Sequence, residues 1–276
     1  MDIFEFIVHG YFLITLVAGF FSGSIVGLFG AGGGIITVPI LVYLLGFSQY
    51  NATRYSMIFI GANAAVSAIN AQKMKQIKWN SVYTLGIVSI LSVFLFRTFL
   101  VPSIPKSFTL FSHIVPKDTI AMIFFSFLLF TAAYLMTKRK EVDHTEDVPS
   151  SPFRTISFGV FLGAIIGLFG VGGGFLTTPY FVAFDKQNVK TAIGTSTALL
   201  LLNSIVGIVS DLITSIHLDV LFVLLFLLGS FGGVWVGIIV KNRVSNSKLS
   251  LFFIFLVCSI GLGVLGKELY TLFLFR

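Results

Sequence analysis

Ten apolar stretches run along the chain, separated by short polar segments. They cover residues 6–29, 35–47, 55–71, 82–101, 119–136, 156–169, 175–184, 192–216, 220–240 and 249–265. A helix that crosses a bilayer needs about 20 apolar residues, so the longer stretches predict transmembrane helices. Residues 175–184 would form a helix of only about 15 Å at 1.5 Å per residue, which predicts a partial crossing.

The longest polar segment, residues 137–155, lies in the middle of the chain. It begins with Lys138, Arg139 and Lys140 and continues with acidic residues and two prolines. This composition predicts a solvated linker between two halves. We therefore expect a first membrane repeat at residues 1–137, a cytoplasmic linker at 138–155 and a second membrane repeat at 156–276.

The two halves share a duplicated glycine motif. GLFGAGGGIITVP at residues 27–39 recurs as GLFGVGGGFLTTP at residues 167–179, at an offset of 140 without a gap. Across residues 27–42, 10 of 16 positions are identical to residues 167–182. Chance similarity between apolar segments would match Leu and Phe, whereas this repeat matches Gly, Thr and Pro in register. The same offset pairs Ser56 with Ser196 and Asn63 with Asn203.

Equivalent loops of the two halves carry different charges. Residues 72–78 hold three lysines, and their counterpart 211–219 holds no Lys or Arg. Residues 241–248 hold three cations, and the longer counterpart 101–118 holds two. Because cytoplasmic loops are enriched in Lys and Arg, equivalent loops are expected on opposite sides of the membrane. The pattern predicts inverted-topology repeats, a common transporter plan.

Inversion also constrains the path of the chain around each glycine motif. The two helices that flank a motif must together begin and end on the same side of the membrane. We therefore predict an all-α integral membrane protein of two inverted repeats. Each repeat would contain three transmembrane helices and a re-entrant pair of half-helices, with residues 30–34 or 170–174 at the tip. Tilted helices that cross fully would satisfy the same parity and remain an alternative.

Composition supports the membrane assignment. Hydrophobic residues make up 56% of the chain and charged residues 11%, against roughly 45–50% and 25% in soluble domains. This excludes a soluble globular domain, a disordered chain and a disulfide scaffold. The net charge of +7 is attributed to the cytoplasmic loops, so the expected partner is the lipid bilayer and not a nucleic acid. Cys258 is the only cysteine, which excludes an intramolecular disulfide and a thiolate metal cluster.

The glycine motif can form an anion site. Glycines permit sharp turns, and the following helix begins with free N–H groups and the positive end of its dipole. Thr37 and Thr177 could add hydroxyl donors. The competing interpretation is that the glycines only permit close helix packing, which we favour for isolated glycines such as Gly159 and Gly229. The candidate ligands in the motifs are Gly30, Gly32, Gly33, Gly34, Thr37, Gly170, Gly172, Gly173, Gly174 and Thr177.

A second group of uncharged polar residues follows each motif: Ser56, Asn63, Thr195, Ser196 and Asn203. A spacing of seven places each Ser and its Asn on one helix face. Such groups suit an anion that must also be released, but hydrogen bonds between helices are an equal alternative.

Charged residues near the span ends have weaker functional interpretations. Arg54 is either an anion gate at the outer mouth or an interfacial anchor, with the anchor favoured. Asp211 is expected to cap a helix or lie at the surface, and proton coupling is the less favoured alternative. Catalytic and metal-binding constellations are missing from the apolar segments, so we expect no cofactor and disfavour a membrane-embedded enzyme.

These motifs resemble the sulfite exporter TauE/SafE family, also described as the toluene-sulfonate uptake permease family. The resemblance covers nearly the whole chain and includes AIGTST at residues 192–197 followed by Asn203, which is similar to the family's A-x-G-T-S…N run. The first half departs from it, because Arg54 stands where glycine is usual. The resemblance implies a bacterial cytoplasmic-membrane protein that moves sulfite, thiosulfate, sulfate or organosulfonates.

The expected function is a secondary transporter for such sulfur oxyanions. The anion would bind at the midplane between the two glycine turns and be released by alternating access. An anion channel with the same hairpins is the alternative, and saturation and counterflow would separate the two. A non-transporting scaffold is disfavoured, and a homo-oligomer is left open.

Overall fold

The computed structural model describes residues 3–30, 34–105, 107–110, 113–137, 151–213 and 218–274. The elements of the first half are α1 (Ile3–Phe29), α2 (Gly34–Pro39), a π-helical continuation (Ile40–Leu44), α3 (Gln49–Lys73), α4 (Trp79–Leu95), a second π-helical segment (Phe96–Leu100), α5 (Val101–Ser103), β1 (Ser107–Leu110), β2 (His113–Pro116) and α6 (Lys117–Thr137). The second half contains α7 (Pro152–Phe169), α8 (Gly174–Ala183), α9 (Val189–Ile213), α10 (Val220–Arg243) and α11 (Asn246–Leu274).

Within the described ranges, seven helices are long and apolar enough to cross a membrane. These candidate spans are Tyr11–Phe29, Trp79–Ser103, Lys117–Thr137, Pro152–Phe169, Val189–Ile213, Val220–Arg243 and Asn246–Leu272. The prediction of a multi-span helical membrane protein is confirmed. The departure from an all-helical chain is small: β1 and β2 form one antiparallel hairpin between α5 and α6.

The glycine segments differ from the predicted pairs of half-helices. Their first arms, α1 with 27 residues and α7 with 18, are long enough to cross the membrane. The second arms are short, with 10 residues in α8. The apolar sequence before each motif has no helix breaker, so the first arm continues to Gly30 or Gly170. There the backbone turns left-handed, with φ of 64° and 62°.

Helix α7 extends into the last residues of the predicted linker. Residues 138–150 lie outside the described residues, but α7 already begins at Pro152, four positions before the predicted start of the second repeat. Proline is favoured in the first turn of a helix, where its missing N–H costs nothing. Residues 152–155 therefore form the first turn of α7.

Helices α1 and α10 pack in parallel through facing glycine stripes. The stripe on α1 consists of Gly19, Gly23 and Gly27, and the stripe on α10 consists of Gly229, Gly233 and Gly237. Gly19 faces Phe226, and Gly27 faces Val234. Because residue numbers rise together along the interface, the two helices run in the same direction. The packing interpretation of Gly229 is confirmed, since a Cβ atom there would lie 2.1 Å from the Leu16 carbonyl oxygen.

Helices α7 and α4 repeat this arrangement. Gly159 faces Val88, and Gly163 faces Ser92, so these helices are also parallel. The packing interpretation of Gly159 is confirmed, since a Cβ atom there would lie 2.9 Å from Val88. Close backbone approach through small residues is the usual means of helix association in lipid.

The central helices α3 and α9, which are equivalent in the repeat, pack against each other in opposite directions. Gly61 of α3 faces Ser204, and Gly207 of α9 faces Met57. Gly194 near the start of α9 faces the carbonyl of Gln76, just beyond the end of α3. Helices α6 and α11, the last of each half, also pack together. The contacts thus pair equivalent elements across the two halves.

The glycine stripe generates a stability prediction. We expect Gly23→Leu to lower the melting temperature of the detergent-solubilised protein, because a Cβ at Gly23 would lie 1.9 Å from the carbonyl oxygen of Ser230. Overpacking typically costs about 1–3 kcal/mol. Gly263→Leu on α11 is the matched control, since nothing lies within 4 Å of a Cβ there. Both changes raise helix propensity equally, so similar melting temperatures for the two variants would contradict the close packing.

Candidate functional site

The two glycine turns lie in direct contact with each other. Gly34 is the first residue of α2, and a Cβ atom on it would lie 1.9 Å from the carbonyl oxygen of Val171 in the other turn. No side chain fits between these backbones. Gly32 and Gly33, two of the predicted ligands, lie outside the described residues.

The second turn is described completely and requires glycine at three positions. Gly170, Gly172 and Gly173 have φ values of 62°, 69° and 68°, a left-handed conformation that costs other residues about 1–2 kcal/mol. Helix α8 begins at Gly174 after an N-cap residue, Gly173, that offers no side-chain hydrogen bond. The N–H groups of Leu176 and Thr177 donate to the Gly173 carbonyl at 3.0 and 3.1 Å, and helix geometry gives the N–H groups that precede them no intrahelical acceptor.

Each turn packs on the central helix of the other half. Gly30 lies against Ile193 and Thr197 of α9, and Gly170 lies against Thr53 of α3. At the offset of 140, Thr53 is the equivalent of Ile193. Each turn therefore contacts the same position of the repeat, but in the other half. Ser56 Oγ lies 2.6 Å from the carbonyl oxygen of Gly170 as a hydrogen-bond donor. The structure therefore places Ser56 at the second glycine turn, where its hydroxyl donates to a backbone carbonyl.

The threonines predicted as hydroxyl donors are engaged within the protein. Thr37 Oγ1 and Ser22 Oγ share a hydrogen bond of 2.5 Å. Thr177 Oγ1 donates to the Gly174 carbonyl at 3.2 Å. Thr195 faces the loop between α8 and α9, where its hydroxyl lies 3.1 Å from Gln187 Oε1. The hydroxyls of Thr37 and Thr177 stabilise the glycine segments. The hydroxyl of Thr195 stabilises the loop between α8 and α9, so this residue lies apart from the glycine turns.

The two asparagines occupy equivalent, fully buried positions. Asn63 Oδ1 accepts a hydrogen bond from Ser230 at 3.0 Å, and Asn203 Oδ1 accepts one from Ser89 at 3.2 Å. Among the described residues, the Nδ2 groups of both asparagines and the hydroxyl of Ser196 have no hydrogen-bond partner. A buried donor without an acceptor costs about 1–3 kcal/mol. Three neutral donors are therefore available in the interior for a polar ligand.

A buried ion pair that the sequence did not predict lies beside the second motif. Nε and Nη2 of Arg97 donate to the two carboxylate oxygens of Asp211 at 2.7 and 2.5 Å. Nη1 of Arg97 donates to the carbonyl of Gly167 at 3.3 Å. Both side chains are about 5% exposed, so the expected surface or capping role of Asp211 is wrong. The partners are 114 residues apart, and no sequence pattern signals that pairing.

Arg54 joins this pair. Its Nε lies 3.9 Å from Asp211 Oδ1, its guanidinium lies 4.1 Å from the centre of the Tyr50 ring, and its Nη2 donates to the Tyr50 hydroxyl. We call Arg54, Arg97 and Asp211 the arginine cluster. It places two guanidinium groups around one carboxylate, next to the helix that leads into the second glycine turn.

Among the described residues, no group of three or more His, Cys, Asp or Glu side chains is placed so that it could hold a metal ion. The site contains backbone N–H groups, neutral amide and hydroxyl donors and two guanidinium groups. All of these are hydrogen-bond donors, although the guanidinium of Arg97 already donates to the carboxylate of Asp211. Hydrogen-bond donors of these kinds occur in protein sites that bind anions.

Comparisons with known proteins agree with a role in transport. The chain is 30% identical over 204 residues, 72% of each chain, to a probable membrane transporter protein of Methanocaldococcus jannaschii. It is 25% identical, over 94% of each chain, to a probable membrane transporter protein of Xylella fastidiosa. It is 24% identical to the probable membrane transporter protein YunE of Bacillus subtilis, over 94% of this chain and 99% of that one. No solved structure matches.

The family profile described as Sulfite exporter TauE/SafE matches residues 15–264. This range includes both glycine motifs, both asparagines and the arginine cluster. The names of the family and of these relatives point to a membrane transporter and not to an enzyme. The chain is a multi-span membrane protein that belongs to the TauE/SafE family.

Proposed function

We propose that this protein is a secondary transporter of small sulfur oxyanions in the bacterial cytoplasmic membrane, with its central linker in the cytoplasm. The observation that carries the proposal is the contact between the two copies of the duplicated motif, with Gly34 against the Val171 carbonyl. The sulfur oxyanion class, which includes sulfite, thiosulfate, sulfate and organosulfonates, is taken from the family description and the motif resemblance.

The interior chemistry supports an anion as the substrate. Two helices begin at the glycine turns, and the positive ends of their dipoles favour negative charge. Asn63 and Asn203 each have a buried amide group whose nitrogen is without a partner among the described residues, and the Ser196 hydroxyl is equally placed. Neutral donors bind an oxyanion without the tight ion pairing that would slow its release.

The helix directions support an inverted repeat. In the topology derived from the loop charges, α1 and α10 both run inward, α4 and α7 both run outward, and α3 and α9 run in opposite directions. The contacts show the same directions: α1 is parallel to α10, α4 is parallel to α7, and α3 is antiparallel to α9. Three independent helix pairs agree with the topology predicted by the charges.

Exchanged contacts offer a physical basis for alternating access. Each glycine turn packs on the central helix of the other half, and the two contact sets are equivalent. Inverted repeats can exchange such equivalent contacts when one half rocks against the other. We propose that this exchange exposes an anion at the turns to one side of the membrane and then to the other.

The topology can be tested with single cysteines in a Cys258→Ser background. Met74 and Thr214 lie in one pair of corresponding loops, and Ser107 and Ser247 lie in the next pair. In intact cells, an impermeant maleimide should label cysteines at 107 and 214. Cysteines at 74 and 247 should react only after permeabilisation, because inversion places equivalent loops on opposite sides. Labelling of both members of a pair from the same side would refute the inverted repeat.

Transport can be tested by sulfite, thiosulfate and sulfonate flux into proteoliposomes. We expect saturable flux with counterflow in the wild type. Asn63→Leu and Asn203→Leu should each reduce flux at low anion concentration about 10- to 100-fold. The reason is that a hydrogen bond to a charged group is worth about 1.5–3 kcal/mol.

These variants should retain their melting temperature, which controls for misfolding. Leu has the same branching and the same number of side-chain heavy atoms as Asn, and Ser230 and Ser89 each keep a backbone carbonyl within hydrogen-bond range. Failure of every tested anion to move would refute the proposed function. Linear flux without counterflow would instead indicate a channel, and unchanged flux in both variants would remove the asparagines from the site.

A further inference from the structure

Lys241, in the last turn of α10, is a buried cation. The residue is 2% exposed, which sets it apart from Arg243 and Lys248, both of which are exposed. Within the part of the chain that the structure describes, its ammonium group makes no hydrogen bond and no ion pair. The enrichment of cations in cytoplasmic loops accounts for charges that face water, but it does not account for a lysine that is enclosed by protein.

The glycine stripe of α10 continues at intervals of four residues to Lys241, so this lysine lies on the face that packs against α1. Gly237, the last glycine of the stripe, lies against the backbone of Leu28 near the end of α1. One helical turn rises about 5.4 Å, so Lys241 lies beyond Phe29, the last residue of α1. It is therefore level with the first glycine turn, which begins at Gly30.

Lys190 approaches the same place from α9. It precedes Thr197 by seven residues, a spacing that places both side chains on one helix face, and Thr197 lies against Gly30. Lys190 Nζ donates to the carbonyl oxygen of Asn242 at 3.3 Å, which joins the start of α9 to the end of α10. We call Lys190 and Lys241 the inner lysines, because the loop charges assign this face to the cytoplasm.

The inner lysines have no counter-charge among the described residues. Neither belongs to an ion pair there, and the charged group that acts on Lys241 is the other lysine. Arg97, which is also buried, is instead held by both carboxylate oxygens of Asp211. A buried charge without a partner is costly, and two like charges repel each other. An anion with two negative charges would balance both lysines.

The outer face does not repeat this pair. At the repeat offset of 140, Lys190 corresponds to Tyr50 and Lys241 corresponds to Val101. Neither equivalent residue carries a charge. A function of the inner lysines is therefore confined to one face of the protein.

We infer that the inner lysines form an anion site on the cytoplasmic side of the first glycine turn, with Lys241 as the principal ligand and a doubly charged oxyanion as the preferred occupant. Passage of the anion between this site and the turn rests on the proposed function. A lysine ammonium is a compact charge with three donors, and the oxygens of a small oxyanion can accept them. Because Lys241 is 2% exposed, the anion reaches it when the inner face opens.

Calorimetric titration of the detergent-solubilised protein at constant ionic strength tests the site. The background is Asn63→Leu with Asn203→Leu, which removes the proposed midplane donors. Addition of Lys241→Met should raise the Kd for sulfate about 10-fold, because a hydrogen bond to a charged group is lost, and raise the Kd for singly charged methanesulfonate less than about threefold. Equal losses for the two anions, or no loss for either, would overturn the inference.

Two further variants control this measurement. Lys248→Met makes the same change at an exposed position of the same face, and it should leave the Kd for sulfate within about twofold of the background value. Lys190→Met removes the second charge at a half-buried position and should also weaken sulfate more than methanesulfonate. Unchanged selectivity in Lys190→Met would remove that lysine from the site and overturn the preference for a doubly charged anion.

The melting temperature of the anion-free protein separates a binding role from a structural role. Lys241→Met should keep or raise the melting temperature, because replacement of buried charges by apolar side chains is often neutral or stabilising. A lower melting temperature with an unchanged Kd for sulfate would show that Lys241 stabilises the carbonyl end of α10. That result would overturn the anion site.

Sided flux distinguishes failure of the inner site from failure of the proposed function. In oriented proteoliposomes, Lys241→Met should raise the KM for sulfate from the cytoplasmic face about 10-fold and leave the KM from the opposite face within about twofold. Selective loss of sulfate binding in a protein that moves no tested anion would support the inner site and refute the proposed function. Unchanged sulfate binding in Lys241→Met would overturn the inner site even if transport were intact.

Discussion

Close backbone contact at glycine positions is the constraint on which the rest of this protein depends. In lipid, helices gain little from burying apolar side chains, so association relies on packing and on satisfied polar groups. Here α1 and α10 approach so closely that a Cβ at Gly23 would collide with the Ser230 carbonyl, and the two glycine turns meet in the same way at Gly34 and Val171. These contacts place backbone dipoles of both halves in one region, which side chains of ordinary size would keep apart.

The interior contains neutral and charged polar side chains, and the free-energy cost of burial differs between the two kinds. Asn63, Asn203 and Ser196 are neutral, so their burial is tolerable and their donors can serve a ligand. Arg97 and Asp211 are charged, and a buried pair of this kind is stable only when its geometry is excellent. The two-point pairing, together with the bond from Arg97 to the Gly167 carbonyl, meets that condition. It also connects the end of α4 to the helix that carries the second glycine turn.

The two halves have the same order of helices, but the side chains at equivalent helix junctions differ in chemistry. The backbone N–H of Asp219 donates to the Tyr55 hydroxyl, and the backbone N–H of Lys78 donates to the Thr195 hydroxyl in the other half. Around Tyr55 the neighbours are aromatic and include Phe222. Around Thr195 they are polar and include Gln187. The equivalent helix junction is thus apolar at Tyr55 and polar at Thr195. The arginine cluster is a second difference between the two ends of the protein.

The sequence alone determined the membrane class, the duplication and the family resemblance, because composition and matched motifs are local properties of the chain. It favoured half-helices and left fully crossing helices as the alternative, and α1 and α7 are long enough to cross the membrane. Only the tertiary structure shows that Arg97 pairs with Asp211 and that Arg54 lies beside this pair. Those partners come from different helices, and their proximity depends on how α4 and α9 pack, which no local pattern encodes.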